Sequence, residues 1–169
     1  MQLDLSNIIE VPGASLSFDC ELAPEKLLTS SIIKFLSPPK ASGQIANTAG
    51  ILTLRGEISS VMTCVCDRCF SEYNTEKTIP VVLALASADE IQDEGNPDIF
   101  PVVGDHFDLP DALETVFILE SDTKSLCRED CAGLCETCGV DLNLGPCSCR
   151  PEIDPRLAVL GQLLDNSDN

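Results

Sequence analysis

Leu52-Thr53-Leu54-Arg55-Gly56-Glu57-Ile58-Ser59-Ser60-Val61-Met62-Thr63-Cys64-Val65-Cys66-Asp67-Arg68-Cys69 is the stretch on which the fold reading turns. Leu52, Leu54, Gly56, Ile58, Ser60, Met62, Cys64 and Cys66 fall on one side of a period-two pattern. Thr53, Arg55, Glu57, Ser59 and Thr63 fall on the other. Successive side chains of a strand point to opposite faces, so this alternation predicts a long antiparallel strand with one buried face. Gly56 in its middle suggests a bulge or bend. Tyr73, Thr75, Lys77, Ile79, Val81, Leu83 and Leu85 continue the alternation and predict a return strand. The C-x2-C unit Cys66-Asp67-Arg68-Cys69 then caps a hairpin and carries two thiolates at its tip.

Outward from this hairpin the signals weaken. Residues 1–38 read as irregular except for an alternating Leu16, Phe18 and Cys20, and Pro38-Pro39 breaks the chain. A strand around Ile45 runs into the turn Asn47-Thr48-Ala49-Gly50. Taken together, 1–88 is mainly β, and on the C-terminal side 89–105 is an acidic, turn-rich surface loop. Asp108 and Pro110 open a helix within 106–122 that carries Leu113, Val116 and Phe117 on one face. A metal-binding segment occupies 123–152. A last helix over 154–165 starts at Asp154 and Pro155 and shows a Leu157, Leu160, Leu164 stripe. The expected fold is a single α+β domain over 1–169. It combines an antiparallel β-meander or partly closed barrel with one or two helices and a C-terminal cysteine-rich zinc knuckle.

Ten cysteines stand in 169 residues, and six of them, Cys127, Cys131, Cys135, Cys138, Cys147 and Cys149, crowd together near the C-terminus. Paired C-x2-C units in a reduced compartment point to zinc rather than to disulfides. Zinc takes four tetrahedral ligands, and thiolate is a soft, strong one. Gly139 after Cys138 suits a tight knuckle, because it lets backbone amides turn toward the sulfurs. The eight cysteines Cys66, Cys69, Cys127, Cys131, Cys135, Cys138, Cys147 and Cys149 are the candidate ligands of one or two structural Zn2+ ions. With one site, Cys135 and Cys138 are the first choice. Their partners are then Cys66 and Cys69, or members of the pairs 127/131 and 147/149. With two sites, all eight are used. Cys20 and Cys64 read as small buried hydrophobes. Arg68, Arg128 and Arg150 each neighbour a cysteine and could offset the negative charge of a tetrathiolate centre.

Composition limits the function. The net charge is −18 and the ten basic residues are scattered, which disfavours broad contact with nucleic acid or anionic lipid. Read plainly, such acidity serves solubility; read more sharply, it suits a basic protein partner such as a ribosomal protein. There is no tryptophan and one tyrosine, so stacking platforms for bases are scarce. The longest apolar run, Val81 to Ala86, is far short of a membrane span. The start Met-Gln-Leu-Asp-Leu shows no secretory signal, so a cytoplasmic location is expected. Catalysis finds no constellation: His106 stands alone in the acidic loop, no phosphate loop is present, and an all-cysteine zinc site leaves no open position. The expectation is therefore a protein that is not an enzyme and takes no small-molecule substrate.

The order Cys66-Asp-Arg-Cys69, then Cys127-Arg-Glu-Asp-Cys131-Ala-Gly-Leu-Cys135-x-x-Cys138-Gly139, then Asp141-Leu142-Asn143, Cys147-x-Cys149 and Asp154-Pro155-Arg156-Leu157, resembles the YceD family, over roughly residues 40–165. The resemblance implies a factor supporting synthesis, processing or stability of large-subunit ribosomal RNA. A ribosomal protein or pre-ribosomal particle is the expected partner. Some family members lack part of the cysteine set, so metal binding is expected to stabilise rather than to be the shared activity. Two competing readings stand beside it: a zinc module that binds RNA directly, and a switch in which thiol oxidation releases zinc.

Overall fold

The computed structural model of the chain describes residues 2–89 and 99–149. The elements run in order β1 (Gln2–Asp4), α1 (Ser6–Ile9), β2 (Ser15–Glu21), a 3-10 turn (Pro24–Lys26), β3 (Ile32–Phe35), β4 (Lys40–Thr48), β5 (Ile51–Val65), β6 (Glu72–Ser87), β7 (Ile99–Val102), β8 (His106–Asp108) and α2 (Leu109–Leu119). Six strands form an open sheet in the order β2-β4-β5-β6-β7. β3 joins it by pairing with the far end of β5. β1 and β8 make a separate two-stranded ribbon.

The β5–β6 hairpin is the spine. Its register holds without a break from Leu52 opposite Leu85 to Val65 opposite Glu72. The alternation explains why: Leu52, Leu54, Ile58, Met62 and Cys64 of β5 and Ile79, Val81, Leu83 and Leu85 of β6 are all buried on one face. A one-residue slip would turn every one of them to solvent. Each buried aliphatic side chain contributes roughly 1.5–3 kcal/mol, so register is strongly specified. Thr63, read from the alternation as outward, is buried, with its Oγ1 held to Asn74 Oδ1 at 2.9 Å.

Gly56 marks no bulge. It lies directly opposite Gly43 in an unbroken β4–β5 ladder. A Cβ on Gly43 would come within 2.8 Å of Phe18 Cζ, and one on Gly56 within 3.1 Å of the same atom. The two glycines thus make room for an aromatic ring over the sheet. The register shift occurs elsewhere, in the β3–β5 pairing between Ile32 and Lys34. The hairpin joining β4 to β5 turns at Ala49 and Gly50, both at positive φ (54° and 90°). Buried Asn47 ties that turn to α1 by donating to the Ile8 and Ile9 carbonyls at 2.8 and 2.7 Å and accepting from the Gly50 amide at 2.8 Å.

Several expectations are corrected here. The alternating Leu16, Phe18 and Cys20 do form a strand, β2, but the rest of the first 38 residues is not irregular: it also holds β1 and β3, because short apolar sets such as Leu3 and Ile32 find partners far along the chain. The α+β class holds, and of the two expected sheet forms the sheet takes the open one, though it is not wholly antiparallel. β7 runs parallel to β6, with Ile99 opposite Ala84 and Val102 opposite Ser87. The acidic loop does not reach 105, since β7 occupies 99–102. The helix does not begin at 106: His106 opens β8 opposite Asp4, and α2 covers 109–119. Asp108 is the N-cap of α2, accepting the Asp111 amide, and Pro110 lies in its first turn. The acidic residues 90–98, Arg150 and the expected C-terminal helix lie outside the described residues.

α2 closes the core. Leu109, Ala112, Leu113, Val116 and Phe117 are buried against the same face of the sheet, and the Phe117 ring meets Phe35 at 5.9 Å between centroids. Its one buried acid, Glu114, is paired with Lys26 at 2.9 Å, as a buried charge requires. From the end of α2 the chain runs back along β6 toward the hairpin tip, and this return creates the site.

Candidate metal centres

Between α2 and the cysteine segment, residues 120–126 are fastened to the hairpin step by step. Lys77 Nζ donates to the Glu120 carbonyl at 3.1 Å and pairs with Asp122 at 2.9 Å. Further along, the Tyr73 hydroxyl meets Ser125 Oγ at 2.7 Å. At the tip, the Ser125 amide donates to Asp67 Oδ2 at 2.6 Å, and the Asp67 amide donates to the Ser125 carbonyl at 2.8 Å. These contacts deliver Cys127 and Cys131 onto the knuckle formed by Cys66 and Cys69.

The result is an inner quartet, Cys66, Cys69, Cys127 and Cys131, and an outer quartet, Cys135, Cys138, Cys147 and Cys149. Within each, all four sulfurs lie within 4.8 Å of one another. Cys66 Sγ is 3.8 Å from Cys131 Sγ, and Cys69 Sγ is 3.7 Å from Cys127 Sγ. A tetrahedron with metal–sulfur bonds of about 2.3 Å has edges of about 3.8 Å. The inner sulfurs therefore have the spacing a tetrahedral ion requires, and both clusters could hold metal ions. The arrangement in which Cys135 and Cys138 share an ion with Cys66 and Cys69 is not the one found. The Asp67–Ser125 pairing places 127/131 at the hairpin tip first, and the tight loop after Cys138 folds 147/149 back onto 135/138. Cys20 and Cys64 join neither quartet; Cys64 is buried in the main core, and Cys20 is half-buried at its margin.

The two knuckles are built alike. The Phe70 amide donates to the Cys66 carbonyl at 2.9 Å, and the Gly139 amide donates to the Cys135 carbonyl at 2.8 Å. The residue after each C-x2-C adopts a left-handed conformation, φ 57° at Phe70 and 72° at Gly139. Glycine takes that conformation freely, whereas a phenylalanine is strained there. Phe70 is also 69% exposed, so burial does not offset its strain.

The electrostatics of the thiols follow this geometry. Burial pushes the Cys66 thiol up, but the amides of Cys127, Cys69 and Arg68 outweigh it and hold the group at about 6. Cys135 is lowered to about 6 by the amides of Cys138 and Thr137, helped by the neighbouring thiols. Cys69 is lowered chiefly by Ser71, whose hydroxyl lies 2.9 Å from its sulfur. In each quartet crowding pushes a thiol the other way. Desolvation and the three neighbouring sulfurs push Cys127 up to about 12, and Cys138 and desolvation push Cys149 up to about 12. Four thiols in one place cannot all ionise without a cation among them.

Among the described residues, Arg68 and Arg128 donate to oxygen acceptors rather than to sulfur. Arg68 Nη1 donates to the Cys131 carbonyl at 2.8 Å, and Arg128 Nη2 donates to Asn143 Oδ1 at 2.6 Å. They hold the cysteine-bearing backbone rather than the thiolates. Residues that sequence reasoning does not assign to the site include Asp67, Tyr73, Ser125 and Asn143. Asn143 has a visible signal, since it sits in the Asp141-Leu142-Asn143 run between the second C-x2-C and Cys147. Asp67 and Ser125 have none, because their partnership spans 58 positions.

Fold and site together define an open β-sheet protein with one covering helix and a paired-quartet cysteine module fastened to its longest hairpin. The description "Large ribosomal RNA subunit accumulation protein YceD" matches residues 54–164, and the chain belongs to the YceD family. An uncharacterised protein of Mycobacterium bovis is 31% identical over 117 residues, covering 68% of this chain and 56% of its own. A maize protein named as a chloroplastic YceD homologue is 26% identical over 145 residues, covering 68% of this chain and 50% of its own. The chain thus spans about half the length of the curated relatives it matches. No solved structure matches it. Among the described residues, no helix is long and apolar enough to cross a membrane.

Proposed function

We propose that the protein is a non-enzymatic factor that supports accumulation of large-subunit ribosomal RNA in the cytoplasm, acting through contacts with a ribosomal protein or pre-ribosomal particle. Each cysteine quartet holds one structural Zn2+. The observation that carries the reading is the pairing of family membership with two all-thiolate quartets. A closed tetrathiolate zinc site stabilises a fold and offers no vacant position for chemistry.

The contact mode follows from charge. Net charge is −18, and Arg68 and Arg128, beside the first knuckle and Cys127, are both engaged in internal hydrogen bonds. A surface of this kind is steered toward basic proteins more than toward phosphates. The test has two arms. Loss of the gene lowers mature large-subunit RNA relative to small-subunit RNA, and affinity capture from cells stalled in ribosome assembly brings down a particle or a basic ribosomal protein. Tight binding of the purified protein to bare ribosomal RNA at physiological salt, with a steep salt slope, would replace the protein-contact reading with the RNA-module one. Reversible zinc loss under mild peroxide, tracking loss of function, would favour the redox switch.

A further inference from the structure

We propose that Asn143 couples the two cysteine quartets, so that closing the outer one around its ion raises the metal affinity of the inner one. The inference rests on both quartets binding metal. Asn143 lies in the loop between Cys138 and Cys147, both outer-quartet cysteines, yet its side chain serves the inner quartet. Its Nδ2 donates to Cys131 Sγ at 3.4 Å. The same amide is held from every side. Nδ2 also donates to Asp141 Oδ1 at 2.6 Å, and Oδ1 accepts from the Ala132 amide at 2.8 Å and from Arg128 Nη2 at 2.6 Å. Oδ1 taking two donors fixes which end of the amide faces the sulfur.

The backbone makes the same bridge. The Leu142 amide donates to the Gly133 carbonyl at 2.9 Å, and the Cys135 amide to the Val140 carbonyl at 2.9 Å. These rungs pair the outer loop with 133–135. On its other side that segment is fixed to the inner knuckle, where the Leu134 amide donates to the Arg68 carbonyl at 3.0 Å. Gly133, at φ 75°, sits so close that an added Cβ would lie 3.1 Å from the Arg68 carbonyl oxygen.

The physical consequence is a shared ordering cost. An ion on Cys135, Cys138, Cys147 and Cys149 closes the loop and fixes Asn143. An N–H already aimed at Cys131 stabilises the negative sulfur that metal binding demands. With the outer quartet open, the inner one must order that loop itself or do without the bond. By linkage the inner ion favours the outer one by the same factor. Asn143 is a positioning residue in both directions.

Cobalt(II) titration of the full chain, read by its thiolate-to-metal absorption and by chelator competition, tests this. Wild type takes two ions. Removing the outer site with C138S/C149S weakens the inner site about tenfold, within the range typical of residues that orient metal ligands. N143A keeps two ions but weakens the inner site by about the same factor, and shifts part of the absorption as Cys131 loses its donor. N143D keeps the acceptor but sets a carboxylate oxygen against Cys131 and Asp141, and weakens the inner site more than N143A does. In the C138S/C149S background, N143A adds nothing. Equal weakening by N143A with and without the outer pair overturns the coupling and leaves Asn143 a local brace. An N143A titration identical to wild type overturns it too. If wild type binds no cobalt at either quartet, the metal reading itself falls, and the coupling with it.

Discussion

Cys66, Cys69 and Cys131 are 0%, 8% and 2% exposed, whereas Cys138 is exposed and its three quartet partners are only half-buried. The ligands are the same and the knuckles share one design, but the settings differ. The inner quartet is lined by Tyr73, Leu126 and Leu134 and is tied to the spine hairpin through Asp67 and Ser125. The outer quartet closes a surface loop whose Val140 and Leu144 face solvent. Cysteine spacing therefore specifies a ligand set, while the surroundings set what losing the ion costs. An ion in the inner quartet would cross-link the long hairpin to the chain that returns from α2. An ion in the outer quartet would order mainly its own loop.

Substitution at the inner site should have the largest effect. C66S or C131A is expected to destabilise the protein by more than about 4 kcal/mol, because metal loss there also unties the hairpin tip from the returning segment around Cys127 and Cys131. Urea unfolding followed by Tyr73 fluorescence reads it well, since this is the single tyrosine in a chain without tryptophan. C138S/C149S should cost one ion per chain and about 1–2 kcal/mol, with the sheet intact by circular dichroism. If the two sets of variants unfold alike, the distinction between the quartets is void.

Kinetics probe the same contrast. A strong chelator should strip zinc in two phases, the outer ion first, with alkylation appearing at Cys138 before Cys66. A single phase with simultaneous labelling would contradict this. In metal-free protein at pH 7, Cys135, lowered to about 6 and half-buried, should react with iodoacetamide faster than Cys149, pushed up to about 12. A margin of at least about tenfold is expected from their thiolate fractions. Peptide mapping of the labelled protein measures it. The smallest effect concerns the two knuckle turns. F70G should stabilise the protein by about 1 kcal/mol, because glycine relieves the left-handed conformation that Gly139 already occupies freely. A destabilisation of that size would mean that the exposed ring contributes packing not evident from its surroundings.

Much of the spine is legible in the sequence. The alternation from Leu52 through Cys66, and from Tyr73 through Leu85, predicts both long strands, because a half-buried strand repeats every two residues and few other structures do. Asp108 and Pro110 announce α2 because capping is a local affair. The short strands are not legible. β1 and β7 have three and four residues, and each is a strand only because a partner lies far away or runs parallel. The bulge expected at Gly56 fails for a related reason: the role of that glycine depends on Phe18 and Gly43, which come from two other strands.

The cysteine inventory, the knuckle spacing and the acidic composition are all properties of the amino-acid sequence, since each follows from residue type and spacing within a few positions. Which cysteines stand together is a property of the folded chain. Asp67 and Ser125, 58 positions apart, bring Cys127 and Cys131 to the first knuckle. That leaves Cys147 and Cys149 for the second. Spacing along the chain can state which thiols are near in sequence, but a four-sulfur site is a closure in three dimensions. The contacts that achieve it are made by residues other than the ligands.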